Sequence, residues 1–196
     1  RQEVHTYSVL MSWAACGRIA TVAERLGMTE KCEFWRDRAA QIRARIENEA
    51  WHEEGQHYAS ALGGSHLDAS LLQMIDLGFL KPEDERFQKT FAAIEKGLRR
   101  GEHMLRYDAE DDFGLPETAF NICTFWLMEA LHLAGREDEA RALFETMLSH
   151  RTKSGLLSED LDFNNGELWG NFPQTYSLVG IINCATLLSR PWSVIR

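Results

Sequence analysis

Apolar residues recur along this chain at three- and four-residue intervals, and no useful length of it alternates apolar with polar. That period belongs to helices rather than strands. The spacing predicts seven helices, over about 7–26, 29–50, 65–77, 83–98, 117–134, 137–149 and 173–189, and no strand. Three carry a single apolar stripe: Trp35, Ala39, Ile42 and Ile46 in the second; Phe87, Phe91, Ile94 and Leu98 in the fourth; Ala140, Leu143, Phe144, Met147 and Leu148 in the sixth. These present one face to water. The first, fifth and seventh (YSVLMSWAAC, AFNICTFWLMEALHLA, YSLVGIINCATLL) are apolar nearly all round, and LDASLLQMI in the third leans the same way. Such helices want neighbours on every side, so buried and amphipathic helices alternate.

The connections alternate too. Links from a buried to an amphipathic helix are short (Gly27-Met28, GFLKP, Gly135-Arg136), whereas the return links are long (WHEEGQHYASALGG, RRGEHMLRYDAEDDFGLP, HRTKSGLLSEDLDFNNGELWGNF). Stacked helical hairpins have this pattern, with inner helices parallel and all three long loops at one end. Connections longer than about 12 residues in a compact domain are usually functional. Ser65 with Asp68 resembles a capping box, and Pro82 sits near a first helical turn. The segment EDEARALFETMLSH looks like half of a tetratricopeptide-type repeat, yet no fixed period runs through the chain. A closed ring of inner and outer helices, an (α/α) toroid, suits the alternation better than an open solenoid. Three and a half hairpins make only part of such a ring.

Composition narrows the partners. The 196 residues are 44% hydrophobic and 26% charged, ordinary material for one packed core. A net charge of −9 argues against nucleic acid, which needs concentrated Lys and Arg. No run approaches the roughly 20 apolar residues of a membrane span, and RQEVHTYS lacks the order of a signal peptide. Without an initiator Met, the chain reads as a piece of something longer. Cys16, Cys32, Cys123 and Cys184 sit singly in helical patterns and read as reduced core thiols of a cytoplasmic protein.

Candidate chemistry gathers in the long loops. Glu159 follows Gly-Leu-Leu-Ser, a run that can hold one carboxylate at a pocket wall as a general base, although Glu159, Asp160 and Asp162 also fit a solvated turn. Trp169 fits either a sugar platform or a loop anchor, and Glu167 fits a turn or cap. Arg106-Tyr107 offers a fork of donors for hydroxyl pairs, or a counter-charge to Asp108, Glu110, Asp111 and Asp112. Those acids do not have the spacing of an EF-hand. His52 and His57 do not form HExxH and lack a third ligand nearby, so no metal is expected. With no GxSxG and no glycine-rich phosphate loop, what remains is the inventory of a glycosidase cleft, with no cofactor.

Four blocks carry a resemblance: HTYSVLMSWAACGRIATVAERLG, LDASLLQMIDLGFL, MLRYDAEDDFGLPETAFNICTFWLMEAL and GLLSEDLDFNNGELWGNFPQTYSLVGIIN. Through them the chain resembles glycoside hydrolase family 15, the glucoamylases and the related bacterial trehalases. The resemblance implies an all-α (α/α)6 barrel, of which residues 1–196 form the C-terminal part of one catalytic domain, about half. It implies inverting hydrolysis of α-glucosidic bonds, with exo-acting glucose release from maltooligosaccharides as the first reading and trehalose hydrolysis as the alternative. A non-catalytic helical scaffold is the competing class. Glu159, in GLLSED, matches the family's general base, and Arg106, in LRY, matches an arginine that holds the sugar at the cleavage point; Tyr107 and Trp169 join the substrate-binding set. The acidic glutamate of the family lies in a Trp-Glu motif expected just before Arg1, and Glu3 lacks the preceding Trp. Relatives place Asp where this chain has Gly17, which implies a lost inner-helix contact. The expected partners are an oligosaccharide or disaccharide substrate and the missing N-terminal half. Without that half, Val9, Trp13 and Cys16 on the first helix and Val179, Ile182 and Leu187 on the last are expected to be uncovered, leaving the chain to self-associate as a homo-oligomer.

Overall fold

The computed structural model describes residues 3–107, 109–110 and 114–189. Among these, α1 spans Thr6–Arg25, α2 Thr29–Glu49, α3 Gln73–Asp76, α4 Glu85–Leu98, α5 Asn121–Leu133, α6 Glu137–Ser149 and α7 Thr175–Ser189. The inner layer runs from α1 through a 3-10 turn at Ala69–Leu72 and α3 to α5 and then α7. Against it pack α2 on α1, α4 on the 3-10 turn, and α6 on α5 and α7. This is an arc of the closed two-layered ring expected from the alternation, and it agrees with the (α/α)6 barrel that the resemblance implies. The stripes face the core as read: Phe87, Phe91, Ile94 and Leu98 are all buried on α4, and Ala140, Leu143 and Met147 on α6. Helix α5 is the centre of the arc, buried at every position from Asn121 to Leu131. Gly180 lets α7 lie against it, since a Cβ there would fall 2.4 Å from Phe125 Cδ2. Gln73 Nε2 donates to the buried Glu129 at 3.1 Å and ties α3 to α5.

The third helix departs from the expected 65–77. It shrinks to the 3-10 turn and α3, because Asp68 is extended (φ −145°, ψ 130°) and itself caps the turn by accepting from Ser70 N–H. Ser65 therefore does not act as the cap. Asp84, accepting from Arg86 and Phe87 N–H, starts α4 beyond Pro82. Strands were not expected, yet seven two-residue strands fold the long connections: β1 Trp51–His52 with β2 His57–Tyr58, β3 Arg99–Arg100 with β4 His103–Met104, and a sheet of β5 Ala119–Phe120, β6 Asp160–Leu161 and β7 Leu168–Trp169. Two residues are too few to show a period of two. Pairing of β5 with β6 also delays α5 from 117 to 121.

The uncovered side of α1 is not the expected one. Val9 and Trp13 pack against the core, Trp13 edge-on to Phe79 at 5.1 Å, and Cys16 is buried. Met11, Ile19 and Val22 face outward instead. On α7, Val179 and Ile182 are exposed as expected, while Leu187 is half-buried. Gly17 has open space around it, with nothing within 4 Å of an added Cβ, so no neighbour among the described residues misses a side chain there. All four cysteines are buried free thiols. No described helix is long and apolar enough to cross a membrane.

Candidate active site

Glu159 is fixed from both ends. Just before it, the buried Ser158 carbonyl accepts from Asn121 Nδ2 of α5 at 2.9 Å and from Ser177 Oγ of α7 at 2.7 Å, while the Ser158 hydroxyl donates to the Asp160 carbonyl. Asn121 N–H donates to the Glu159 carbonyl at 3.0 Å, and Glu159 N–H to the Asn171 carbonyl at 2.9 Å. Asn171 also clamps the side chain, its Nδ2 donating to Glu159 Oε2 at 2.8 Å and its backbone N–H at 3.2 Å. Gly170 makes this approach possible. Its φ is +75°, and a Cβ there would sit 3.0 Å from Glu159 Cβ and 3.1 Å from Oε2. Only a residue without a side chain fits both conditions.

Arg106 comes from the second long connection. Its Nε lies 3.1 Å from both Asp68 oxygens and donates to Oδ2, and its guanidinium lies 5.4 Å from the Trp126 ring centre. A bridge between Asp68 and Tyr107 joins the first connection to the second, and β5 with β6 joins α5 to the third. All three long connections therefore meet at one end. A cavity of about 930 Å³ is walled by Arg106, Tyr107, Thr118, Phe120, Glu159, Asp160, Phe163 and the half-exposed Trp169, among others. A second, of about 600 Å³, shares Arg106, Tyr107 and Phe120 and adds Glu3, Tyr7, His66 and Asp68.

Asp160, beside Glu159, is pushed up to about 6 by burial and by the Glu159 charge, against a hydrogen bond with Thr118 that lowers it. The Glu159 and Asp160 carboxyls thus share one wall of the cavity. Asp162 also borders the cavity but accepts from Asn164 N–H at 2.8 Å, as a turn residue does. Glu167 is exposed in that turn. His52 and His57 lie side by side, ring centres 5.4 Å apart, and among the described residues no three His, Cys, Asp or Glu groups could hold a metal. Asp108, Asp111 and Asp112 lie outside the described residues, and Glu110 is exposed.

The structure thus brings Glu159, Arg106, Tyr107 and Trp169 to one cavity. Asn171, which carries Glu159, was not legible in the sequence, and Asp68 was read as the capping-box partner of Ser65 and not as the partner of Arg106. The only signal for Asn171 was its place after a glycine in the loop.

The model of the glycosyl hydrolases family 15 matches residues 1–186. The chain belongs to this family. It is 36% identical over 186 residues to a trehalase of Thermoplasma acidophilum and 33% identical over 186 residues to a trehalase of Thermoplasma volcanium. Each match covers 94% of this chain, and 32% and 30% of those proteins, so the chain spans about a third of the length of these curated relatives. A solved glycosidase in complex with glucose shares the fold, with a TM-score of 0.83 over 96% of this chain and 53% of that one, at 20% identity.

Proposed function

We propose that this family 15 chain is the C-terminal part of the catalytic domain of an inverting α-glucosidase acting on trehalose, and that it supplies the general base and one wall of the sugar pocket. The observation that carries the reading is the double clamp of Asn171 on Glu159 Oε2, within the cavity that also holds Arg106. A carboxylate held in one direction can take a proton from water while that water attacks the anomeric carbon. In an inverting enzyme the attack comes from the face opposite the leaving oxygen, which a second carboxyl protonates. That acid is proposed to come from the remainder of the protein, upstream of Arg1, as the family pattern implies. Arg106 offers planar donors to sugar hydroxyls, Tyr107 stands beside it, and Trp169 presents an aromatic face to the ring.

The substrate favoured here differs from the first reading of the sequence. The relatives that match along this chain are named trehalases, which supports the disaccharide over maltooligosaccharides. A non-catalytic scaffold fits less well, because its concave face has no use for a clamped carboxylate at a cavity of ligand size. The full-length protein, offered trehalose, maltose, isomaltose and maltooligosaccharides, is expected to release glucose from trehalose with a kcat/KM at least about tenfold above the rest, a preference of about 1.4 kcal/mol. Preference for maltooligosaccharides overturns the substrate while leaving the base assignment standing.

A further inference from the structure

We propose that Asp68 is a positioning residue whose carboxylate aims the Arg106 guanidinium into the pocket, an inference that rests on the sugar-holding role proposed for Arg106. Asp68 does two jobs with one side chain. Its Oδ1 accepts from Ser70 N–H at 2.7 Å and from Ser70 Oγ at 2.5 Å, capping the 3-10 turn. Its Oδ2 accepts from Arg106 Nε–H at 3.1 Å. Capping needs only one acceptor oxygen, so it leaves the Oδ2 bond unexplained. The rest of the surroundings serve Arg106 as well: Ala69 N–H donates to the Arg106 carbonyl at 2.9 Å, and the Trp126 ring lies against the guanidinium. The backbone is thus held by the residue after Asp68, one side of the fork by Asp68 and one face by Trp126. A guanidinium held at Nε keeps its plane, and with it the direction in which its terminal N–H groups meet a hydroxyl pair. Both cavities that share Arg106 open onto this arrangement, and Asp68 borders the smaller one.

The two jobs are separable by substitution. Asp68→Asn retains an acceptor for the cap, since Asn is as good a cap as Asp, but turns a donating amide toward Arg106 Nε. Asp68→Ser also caps and is too short to reach Arg106. In the full-length protein, both variants are expected to raise KM for trehalose about 10- to 100-fold, the worth of a hydrogen bond to a charged group, with kcat within about threefold and a Tm close to the parent. Loss of structure behaves differently, because it removes competent molecules and lowers apparent kcat at unchanged KM. Arg106→Ala is expected to match or exceed the KM increase, and adding Asp68→Asn to it is expected to cost no more than about a further twofold. A wild-type KM in both Asp68 variants beside a damaged Arg106→Ala overturns the role of Asp68 alone. So does a full multiplication of the two effects, or a fall in kcat at constant KM. A wild-type KM in Arg106→Ala overturns the sugar-holding role and the Asp68 inference together.

Discussion

Glu159→Gln in the full-length protein is expected to lower turnover of trehalose by about 10²–10⁴-fold, roughly 3–5 kcal/mol of barrier, with KM little changed. The amide keeps the shape of the side chain and one oxygen able to accept from Asn171, whose two donors now converge on Glu159 Oε2. What it loses is the capacity to take a proton from water. Steady-state kinetics on trehalose check this, with the exposed Glu167→Gln as a control expected to behave as the parent. Near-parent turnover in Glu159→Gln removes the base from this position and transfers the search to Asp160. That residue is on the same wall and is already displaced from ordinary aspartate behaviour.

The second large effect concerns residues 1–196 expressed alone. Met11, Ile19 and Val22 on α1, and Tyr176, Val179 and Ile182 on α7, stand outward on two inner-layer helices, with Ile182 63% exposed. In a closed ring those faces meet further inner helices, and apolar faces of this kind on a water-soluble chain drive association. The chain alone is expected to oligomerise or aggregate and to release no glucose from trehalose, since the second carboxyl is proposed to lie in the remainder of the protein. Sedimentation at several concentrations with a glucose-release assay checks both parts. An active monomer contradicts the proposed boundary and makes Glu3, which borders the smaller cavity, the first candidate acid.

Much of the fold was legible because long amphipathic helices write their period into the sequence, as Phe87, Phe91, Ile94 and Leu98 do on α4. The outward side of α1 was not legible. A helix with apolar residues nearly all round carries no direction, and the choice of Val9, Trp13 and Cys16 over Met11, Ile19 and Val22 went the wrong way. The two-residue strands escaped for different reasons, since two residues are too few to show an alternation, and the pairing of β5 with β6 joins Phe120 to Asp160 across the intervening α5 and α6. At the site, Glu159 and Arg106 stood out through the blocks that resemble the family, and from spacing alone Glu159 remained open between base and solvated turn. Their supports left no local trace: Asp68 lies 38 residues from Arg106, and Asn171 lies 12 from Glu159. Hydrogen bonds formed by folding at such separations have no periodic signature.

The central claim, that water activated at Glu159 attacks opposite the leaving oxygen, is tested most directly by proton spectra of the first products from trehalose. Both anomeric carbons of this sugar are α, so inversion at the attacked carbon yields one β-glucose, while the departing half leaves as α-glucose. Equal amounts of the two anomers are expected before mutarotation mixes them. α-Glucose alone in the earliest spectra means retention, and contradicts it.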